Sequence, residues 1–397
     1  MKYVVIGGAG AMGRITVKDL VETCAKTDQI VIADFDLNKA KALAASFADN
    51  RVSAVHVDVK NHQSTANALS GAFVAINAVQ YQMNLDVMEA ALAARCHYID
   101  YGGLFHTTLK QLELGDRFKR IGRLALLGMG AAPGITNILS RHAADQLERV
   151  TEIHTRVASM DKTKYAPKPA LAISYSLKTI LEEFSFEPAV FTKGKMTFVE
   201  PMSGDLPHRF PAPIGLRKPM YTIHSEVATL PHSFASKGVK EVSFKIAFDP
   251  EFVDRVRFLR DLGFGSHDPV EVAGGVRVAP IDVANKVAMS QPASRQVGQL
   301  KQYEVVRAVV KGTKKGRKVT WVIDCHTAGM PAWGIGLDID TGSPPAIAAQ
   351  MLAAGEIIET GALPAELAVP PEAFFKHLKK RKMTVKATRK SGWGFKV

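Results

Sequence analysis

Three glycines near the start of the chain have the spacing of a phosphate-binding loop. Gly8, Gly10 and Gly13 form G-x-G-x-x-G, directly after a short apolar run and before a segment with helical spacing. The first glycine of such a motif allows a tight turn, the second lets a pyrophosphate approach the backbone, and the third lets the helix pack closely. The loop, with Ala11 and Met12, therefore predicts a dinucleotide site, and a glycine-rich turn without a ligand is the alternative.

Two carboxylates accompany the next two predicted strands. Residues 29–33 form a β-branched run that leads into Asp34, and residues 52–59 form a second run that contains Asp58. A carboxylate in the position of Asp34 can accept hydrogen bonds from the adenosine ribose and would repel a 2′-phosphate. This favours NAD, although Lys39 nearby leaves NADP possible and Asp34 could instead cap a helix. We expect Asp58 to lie near the adenine.

These motifs fall at regular places in a β-α pattern. Short apolar runs alternate with amphipathic segments about six times up to residue 137, which predicts an α/β fold with a doubly wound parallel sheet of the Rossmann type. Ligands of such sheets bind beyond the carboxyl ends of the strands. Ordinary turn chemistry is the alternative for each segment found there. The further residues that we expect to contact the cofactor at those ends are Asn77, Ala78, Ala132, Pro133 and Gly134.

The pattern changes after about residue 149. Alternating apolar and polar residues predict strands at 150–159, 195–200, 239–248, 302–311 and 319–325, with helices at 179–184 and 254–262. This pattern is typical of an antiparallel sheet with one free face, across which a homodimer is plausible. We therefore divide the chain into a dinucleotide-binding domain, residues 1–137 and 341–397, and an inserted α+β substrate-binding and dimerisation domain, residues 138–340. Ser343 is the predicted N-cap of an Ala-rich helix.

Composition restricts the class of protein. The 397 residues suffice for two domains, and no apolar run is long enough for a membrane helix. Three widely spaced cysteines suit a reducing cytoplasm, and the histidines show no metal-ligand spacing. Most of the net charge of +13 comes from residues 376–397, which contain nine Lys or Arg residues and no acid. Such a basic tail could contact nucleic acid or an acidic partner, but no nucleic-acid-binding motif accompanies it, so we interpret it as a solvated end.

Several of these motifs together resemble the saccharopine dehydrogenase-like family. They are the glycine loop, Asn77-Ala78, Tyr81, Asp100-Tyr-Gly-Gly103, Gly130-Ala-Ala-Pro-Gly-Ile-Thr-Asn137 and Gly355-Glu-Ile-Ile-Glu-Thr-Gly-Ala-Leu-Pro364. The lysine 6-dehydrogenase type looks nearest, while residues 221–230 are as similar to carboxynorspermidine and homospermidine synthases. The resemblance implies nicotinamide-dependent hydride transfer at a C–N bond of an amino acid or amine, through an imine.

Such chemistry requires an acid or base for the amine and for the water step. The candidates are Tyr81, Asp100, His224 and Glu226. Tyr81 could instead be a packed aromatic residue, and Asp100 could cap the helix after Gly103. His224 and Glu226 face the cleft if the second domain folds as in the family. A cation for a substrate carboxylate is also needed, and Arg141, Arg156 and Lys178 are open alternatives.

Three functions remain in consideration. The first is an NAD-dependent amine or amino-acid dehydrogenase, of the lysine or saccharopine type. The second is a synthase that joins an amine to an aldehyde by reductive amination with NADPH. The third is a non-enzymatic dinucleotide-binding regulator, which would keep the glycine loop but tolerate substitution of Tyr81, His224 and Glu226.

Overall fold

One of the two large sheets of the fold is a seven-stranded parallel sheet. The structure is a computed structural model that describes residues 1–171, 173, 176–292 and 294–391. The strand order is β19-β6-β5-β4-β1-β2-β3, with every neighbouring pair parallel. The strands are β1 (Lys2–Ile6), β2 (Gln29–Asp34), β3 (Val52–His56), β4 (Val74–Asn77), β5 (His97–Asp100), β6 (Leu124–Leu127) and β19 (Gly361–Pro364). The predicted Rossmann-type α/β architecture is confirmed.

Helices connect these strands on both sides of the sheet and bury its apolar faces. The predicted β-α alternation is present because each crossover between parallel strands requires a segment of this kind. Val4 and Ile6 pack in one core cluster, whereas Val5 packs in another, so both faces of β1 are covered. The connecting helices are α1 (Gly13–Thr23), α2 (Leu37–Ser46), α3 (His62–Ala68), α4 (Asn84–Ala93), α5 (Leu104–Leu112), α6 (Gly115–Arg120) and α7 (Ile135–Asp145).

A second seven-stranded sheet, which is mixed, follows. Its order is β10-β9-β13-β7-β17-β18-β20, and only the pair of β13 and β7 is parallel. Its strands are β7 (Arg149–Asp161), β9 (Ala189–Thr192), β10 (Lys195–Phe198), β13 (Glu241–Ala247), β17 (Gln302–Lys314), β18 (Arg317–Thr327) and β20 (Thr384–Ser391). The predicted strands of this region are present, with the long hairpin β17–β18 extending beyond its predicted ends.

Smaller elements surround the second sheet. The helices among them are α8 (Leu177–Ser185), α9 (Glu226–Ser233), α10 (Pro250–Leu259) and α11 (Pro280–Ser290). Three two-stranded ladders are formed by β8 (Lys164–Ala166) with β16 (Arg295–Val297), β11 (His208–Arg209) with β12 (Leu216–Arg217), and β14 (Val270–Val272) with β15 (Val276–Val278). Helix α9 was not predicted, because its short run contains Pro231, which disfavours a helix interior.

The C-terminal segment contributes to both sheets. It contains α12 (Ile339–Ala353), α13 (Ala365–Ala368) and α14 (Pro371–Lys380) in addition to β19 and β20. Strand β19 joins the parallel sheet as expected, but β20 pairs with β18 in the second sheet, away from the domain to which residues 341–397 were assigned. The division into two domains therefore stays a prediction.

Two local expectations for this segment were wrong. Helix α12 begins at Ile339, so Ser343 lies inside its second turn and is not the N-cap. The basic segment is not simply a solvated end, because Arg381 is 1% exposed and its guanidinium donates to both carboxylate oxygens of Asp19, at 2.9 and 2.5 Å. The last six residues of the predicted tail lie outside the described residues.

Candidate active site

The glycine loop is held in a tight conformation between β1 and α1. A Cβ at Gly8 would lie 2.8 Å from the carbonyl oxygen of Val5, and one at Gly13 would collide with the carbonyl oxygen of Gly7. Gly10 closes the turn, since its N–H donates to Gly7 O at 3.0 Å. Only glycine fits at positions 8 and 13, so the backbone stays open where a pyrophosphate would approach the start of α1.

Asp34 connects the loop to the end of β2. Its Oδ2 accepts from the N–H of Ala9 at 2.9 Å, and its Oδ1 accepts from the N–H of Asp36 at 3.0 Å. Asp36, not Asp34, caps α2, because the Asp36 side chain accepts from the N–H of Lys39. Asp34 therefore fixes the glycine loop while it remains partly exposed beside it.

A cleft of about 440 Å³ lies beside this carboxylate. Both predicted acids, Asp34 and Asp58, line it, and Asp58 is held by the N–H of Lys60 at 3.0 Å. The remaining walls are Gly7, Phe35, Val57, Val59, Lys60 and Val79. Apolar walls with two carboxylates at the rim suit an adenosine, so the residues that are present fit a dinucleotide.

Asn77 and Asp100 are the last residues of β4 and β5, and both belong to a buried hydrogen-bond network. The Asn77 amide donates to Asn84 Oδ1 at 2.9 Å and to Tyr98 OH at 3.1 Å. Asp100 accepts from Gln111, Tyr98 and two backbone N–H groups, and burial raises its pKa. A carboxyl group with so many donors is suited to positioning the strand ends rather than to exchanging protons with a substrate.

The turn between β6 and α7 lies against the end of β5. Pro133 packs against Gly102 and Gly128, where an added Cβ would lie 2.8 Å from its ring in each case. Gly134 has φ +125°, a conformation that favours glycine, and its N–H donates to Asn137 Oδ1 at 3.1 Å. Ala132 to Gly134 therefore form a rigid wall at the edge where the nicotinamide was expected, while contact with it stays a prediction.

Tyr81 and Gln82 reach across to the second half of the molecule. Gln82 donates to Glu182 Oε1 at 3.0 Å, and the Tyr81 side chain hydrogen-bonds to the same carboxylate. Burial and the charge of Glu182 raise the pKa of Tyr81, so its phenol stays protonated at neutral pH. His267 Nε2 lies 3.0 Å from Glu182 Oε1 on the other side. Glu182 thus lies at a contact between the loop after β4 and α8.

His224 and Glu226 form a buried pair at the start of α9. His224 Nδ1 lies 2.8 Å from Glu226 Oε2, and Thr136 donates to Glu226 Oε1 at 2.8 Å. The His224 ring stacks on Phe244, with centroids 3.7 Å apart. Burial alone would lower the pKa of His224, but the negative charge of Glu226 outweighs it and the net pKa is raised. The pair therefore favours an imidazolium beside the end of β6.

The three candidate cations lie in different places. Arg141 donates to the carbonyl oxygens of Leu367 and Val369, which is a structural role. Lys178, on the same helix as Glu182, donates to Asp282 at 2.6 Å. Arg156 lies on the face of the second sheet opposite to Phe244, because it pairs in register with Lys245, the next residue of β13. The sheet therefore separates Arg156 from His224.

Sequence reasoning missed Glu182, Thr136 and His267. Glu182 lies within the predicted helix 179–184, where its acidic side chain would ordinarily indicate a solvated face, yet it is fully buried. Within the described ranges, no group of three or more His, Cys, Asp or Glu side chains could hold a metal ion, and no helix is long and apolar enough to cross a membrane.

The parallel sheet, the glycine loop and the buried His224–Glu226 pair at its edge define a nicotinamide-dependent oxidoreductase. Comparison with known proteins makes the class specific. Residues 3–126 match the model of the saccharopine dehydrogenase NADP binding domain, and residues 130–383 match that of the saccharopine dehydrogenase C-terminal domain. The chain belongs to the saccharopine dehydrogenase family, as the resemblance implied.

Individual relatives are similar over nearly the whole chain. A carboxyaminopropylagmatine dehydrogenase from Synechocystis sp. is 25% identical over 390 residues, covering 95% of both chains. A carboxynorspermidine synthase from Vibrio cholerae is 23% identical and covers 89% of each. The saccharopine dehydrogenase (L-Glu forming) of Saccharomyces cerevisiae shares the fold, with a TM-score of 0.71, 14% identity and coverage of 98% and 99%.

These comparisons identify an enzyme and leave the first two hypotheses on function open. The chain is a nicotinamide-dependent oxidoreductase that acts on a C–N bond, as an enzyme of this family, and not a non-enzymatic regulator. The family model names NADP, which favours NADP over the NAD expected from Asp34.

Proposed function

We propose that the chain reduces, with NADPH, the imine formed between an amine and an amino acid that carries an aldehyde group. The product is a secondary amine with a new C–N bond, and the same site can oxidise that bond in reverse. The names of the two relatives that span most of the chain support this proposal, since both denote enzymes of carboxyalkylated amines. The lysine-oxidising reaction of the lysine 6-dehydrogenase type is the competing specificity.

The observation that carries the proposal is the buried carboxylate of Glu182. It lies where the loop after β4 meets α8, in contact with Gln82 and His267. Burial raises the pKa of Glu182, and hydrogen bonding from Tyr81 opposes that rise. A carboxylate in this position can pair with the ammonium or guanidinium group of an amine substrate.

The His224–Glu226 pair is proposed to manage the proton of the reaction. A bound nicotinamide supplies the hydride for the imine carbon. Since Glu226 engages Nδ1 of His224, Nε2 is the nitrogen that can give a proton to the substrate or take one from it. The raised pKa of His224 favours the imidazolium, which can protonate an imine nitrogen so that the imine carbon accepts hydride. Thr136 keeps the Glu226 carboxylate in position.

NADPH is the proposed cofactor, in place of NAD. The two backbone N–H groups that bond to Asp34 compensate part of its negative charge, which weakens the repulsion of a 2′-phosphate. Lys60 lines the same cleft and offers a positive charge for that phosphate. We expect Lys60→Met to raise KM for NADPH but not for NADH, with Lys41→Met, an exposed lysine on α2, as the matched control.

A homodimer and a cytoplasmic location also remain proposals. The three cysteines are free, which suits a reducing compartment. The free sheet face expected to mediate dimerisation is covered in part by residues 199–221, since Phe210 and Ile214 pack on Ala158 and Val305. Sedimentation analysis of the purified chain would measure the assembly directly.

The test is a matrix of NADPH oxidation assays. One axis is a set of amines (agmatine, 1,3-diaminopropane, putrescine and lysine), and the other is an aldehyde-bearing amino acid, aspartate semialdehyde, present or absent. We expect NADPH to be consumed only when an amine and the aldehyde are both present. Oxidation of lysine with NADP, without any aldehyde, would contradict the proposal and favour the competing specificity.

A further inference from the structure

Three basic residues lie side by side across one face of the second sheet. The pairing of β13 with β7 places Lys245 opposite Arg156, and the pairing of β7 with β17 places Arg307 opposite Arg156. Paired residues on neighbouring strands point to the same side of a sheet. Lys245, Arg156 and Arg307 therefore form a continuous line of positive charge, which we call the cation row.

The two ends of the cation row have partners of their own. Arg307 forms a bidentate pair with Asp324, at 2.6 and 2.8 Å, and also donates to Arg209 O at 3.0 Å. Lys245 Nζ donates to Gly204 O at 2.5 Å and lies 4.1 Å from the centre of the Tyr221 ring. These contacts fix both side chains while leaving their charge in place.

Arg156, at the centre of the cation row, is different. Across the part of the chain that the structure describes, its guanidinium makes no hydrogen bond or ion pair, and its Nε is a buried donor without an acceptor. A buried donor atom without an acceptor is costly and therefore uncommon. An unfilled donor of this kind, in an otherwise ordered cluster, indicates a group that completes it.

The pKa values of the basic side chains show how closely their positive charges are packed. Burial, and then the charge of Arg307, lowers the pKa of Arg156 to about 10, while burial and Arg156 lower the pKa of Lys245 to about 8. His208, which lies 3.0 Å from Arg307 Nη1, has a pKa lowered to about 3 by burial and by both arginines. It is therefore neutral and does not add to the charge.

The charged side chains around Arg156 indicate the charge of a ligand that would bind there. Lys386 extends the row on β20, next to Asp324, and the exposed Asp205 lies near Lys245. Asp324 pairs with Arg307 and Asp205 lies near Lys245, whereas no carboxylate of the described residues pairs with Arg156. The centre of the row therefore suits an anion.

Residues 199–221 cover this face of the sheet and place side chains beside the cation row. His208 and Tyr221 stand over the cation row from residues 199–221, and the Phe210 ring lies 5.2 Å from the guanidinium carbon of Arg307. Arg156, Lys245 and Tyr221 are each partly exposed to solvent. A ligand of the cation row would lie between these side chains and the sheet.

We propose that the cation row binds a phosphate group, with Arg156 as the central ligand, at a site separate from the His224–Glu226 pair. Arginine binds phosphate through two parallel hydrogen bonds, and lysine adds a point charge. The site is separate because Phe244, which carries the stacked His224, faces the opposite side of the same sheet. Free phosphate and the phosphate of a small metabolite share this chemistry.

The experiment is isothermal titration calorimetry of the full chain with inorganic phosphate, in the presence of saturating NADPH. The bound cofactor occupies the glycine loop, so phosphate binding there does not contribute. The variant is Arg156→Met, and the matched control is Arg149→Met, an exposed arginine at the start of the same strand. Circular dichroism verifies that each variant is folded, and Lys245→Gln is a second variant at the edge of the site.

We expect the wild type and Arg149→Met to bind phosphate equally, and Arg156→Met to bind at least about tenfold more weakly, the loss of one charged hydrogen-bonding partner. Lys245→Gln should weaken binding by a smaller factor. Ribose 5-phosphate in place of phosphate separates the two sources: tighter binding indicates a phosphorylated metabolite, and equal binding indicates free phosphate. No binding to the wild type, or equal binding to Arg156→Met, would overturn the proposal.

Discussion

His224 Nδ1 lies 2.8 Å from Glu226 Oε2, and both side chains are buried at the edge of the parallel sheet. The contact joins two residues that are only two positions apart, but it is completed by Thr136 from the other half of the chain. Glu226 raises the pKa of His224 against the effect of burial and so favours the imidazolium, whose ring stacks on Phe244. An acid of that kind is what reduction of an imine requires.

The first prediction concerns the pH dependence of this pair. Because the folded-state pKa of His224 is raised, its contribution to stability is complete below the ordinary pKa of about 6.5 and is lost as pH rises through the folded-state value. We expect Glu226→Gln to lower the free energy of unfolding by about 3 kcal/mol at acidic pH and by much less at alkaline pH. Urea titrations at several pH values measure this difference.

The same variant should alter catalysis in a defined direction. Without Glu226 the pKa of His224 falls, so the pH profile of kcat/KM for imine reduction should shift to lower pH. Glu372→Gln, at an exposed position in the first turn of α14, is the control and should leave both measurements unchanged. An unshifted pH profile for Glu226→Gln would show that His224 is not the titrating acid.

The second prediction concerns Glu182. Replacement by glutamine removes the negative charge but keeps the shape, so KM for the amine should rise roughly 10- to 100-fold, the range expected for a charged hydrogen bond. The KM for NADPH should not change. Glu187→Gln, exposed just beyond the end of α8, is the control. If Glu182→Gln changed kcat alone, Glu182 would not be an amine-binding residue.

The third prediction concerns the glycine loop. A Cβ at Gly13 would overlap the Gly7 carbonyl, so Gly13→Ala should weaken NADPH binding by at least about tenfold in calorimetry, about 1.4 kcal/mol. Gly115→Ala is the control, since a Cβ there would meet Ala362 N at an ordinary 3.6 Å. Equal affinity of Gly13→Ala and the wild type would place the cofactor elsewhere.

The fourth prediction concerns a group of acids near the start of α12. Burial raises the pKa of Asp338 to about 6 and that of Asp340 to about 7, and Glu304 beside Asp340 also has a raised pKa. Groups of this kind contribute stability below their ordinary pKa of about 4 and lose it as pH rises through the folded-state values.

Asp340→Asn removes this pH-dependent loss for one of the acids. We expect the variant to raise Tm relative to the wild type at about pH 8 and to have little effect at about pH 4. Asp268→Asn, an exposed aspartate, serves as the control in the same calorimetric scans. A Tm difference that does not depend on pH would contradict the assignment.

The fifth prediction concerns Arg381, which is buried against Asp19. Arg381→Met leaves a buried carboxylate without its partner and should lower the free energy of unfolding by about 3–5 kcal/mol. The double variant with Asp19→Asn should recover part of that loss, whereas Lys379→Met, exposed on α14, should have little effect. Additive effects of the two substitutions would show that Arg381 and Asp19 do not interact.

Sequence reasoning located the elements that depend on local patterns. The glycine loop and Asp34 follow from their spacing along β1, α1 and β2, and the alternation of apolar runs predicted the parallel sheet. The contacts that complete the site are distant in sequence: Gln82 and Glu182 are 100 positions apart, and Arg381 and Asp19 are 362 apart. Such pairs depend on how the two sheets pack, for which one sequence holds no local signal.

Predictions from local sequence patterns were wrong where contacts between distant parts of the chain determine the structure. The basic residues after position 376 read as a solvated end, yet Asp19 draws Arg381 into the core and β20 completes the second sheet. Arg156 was a candidate for a substrate carboxylate, but alternation along β7 and β13 places it on the opposite face from His224. The face of a buried charge depends on register, which the sequence alone does not specify here.

Isotope labelling tests most directly whether NADPH transfers its hydride to an imine carbon. NADPH carrying deuterium at the transferred position is supplied with aspartate semialdehyde and the amine that the chain uses, and the product is analysed by mass spectrometry. We predict one deuterium on the carbon bonded to the newly formed secondary amine. Deuterium on an alcohol carbon instead, or an amine product without deuterium, would contradict hydride transfer to an imine.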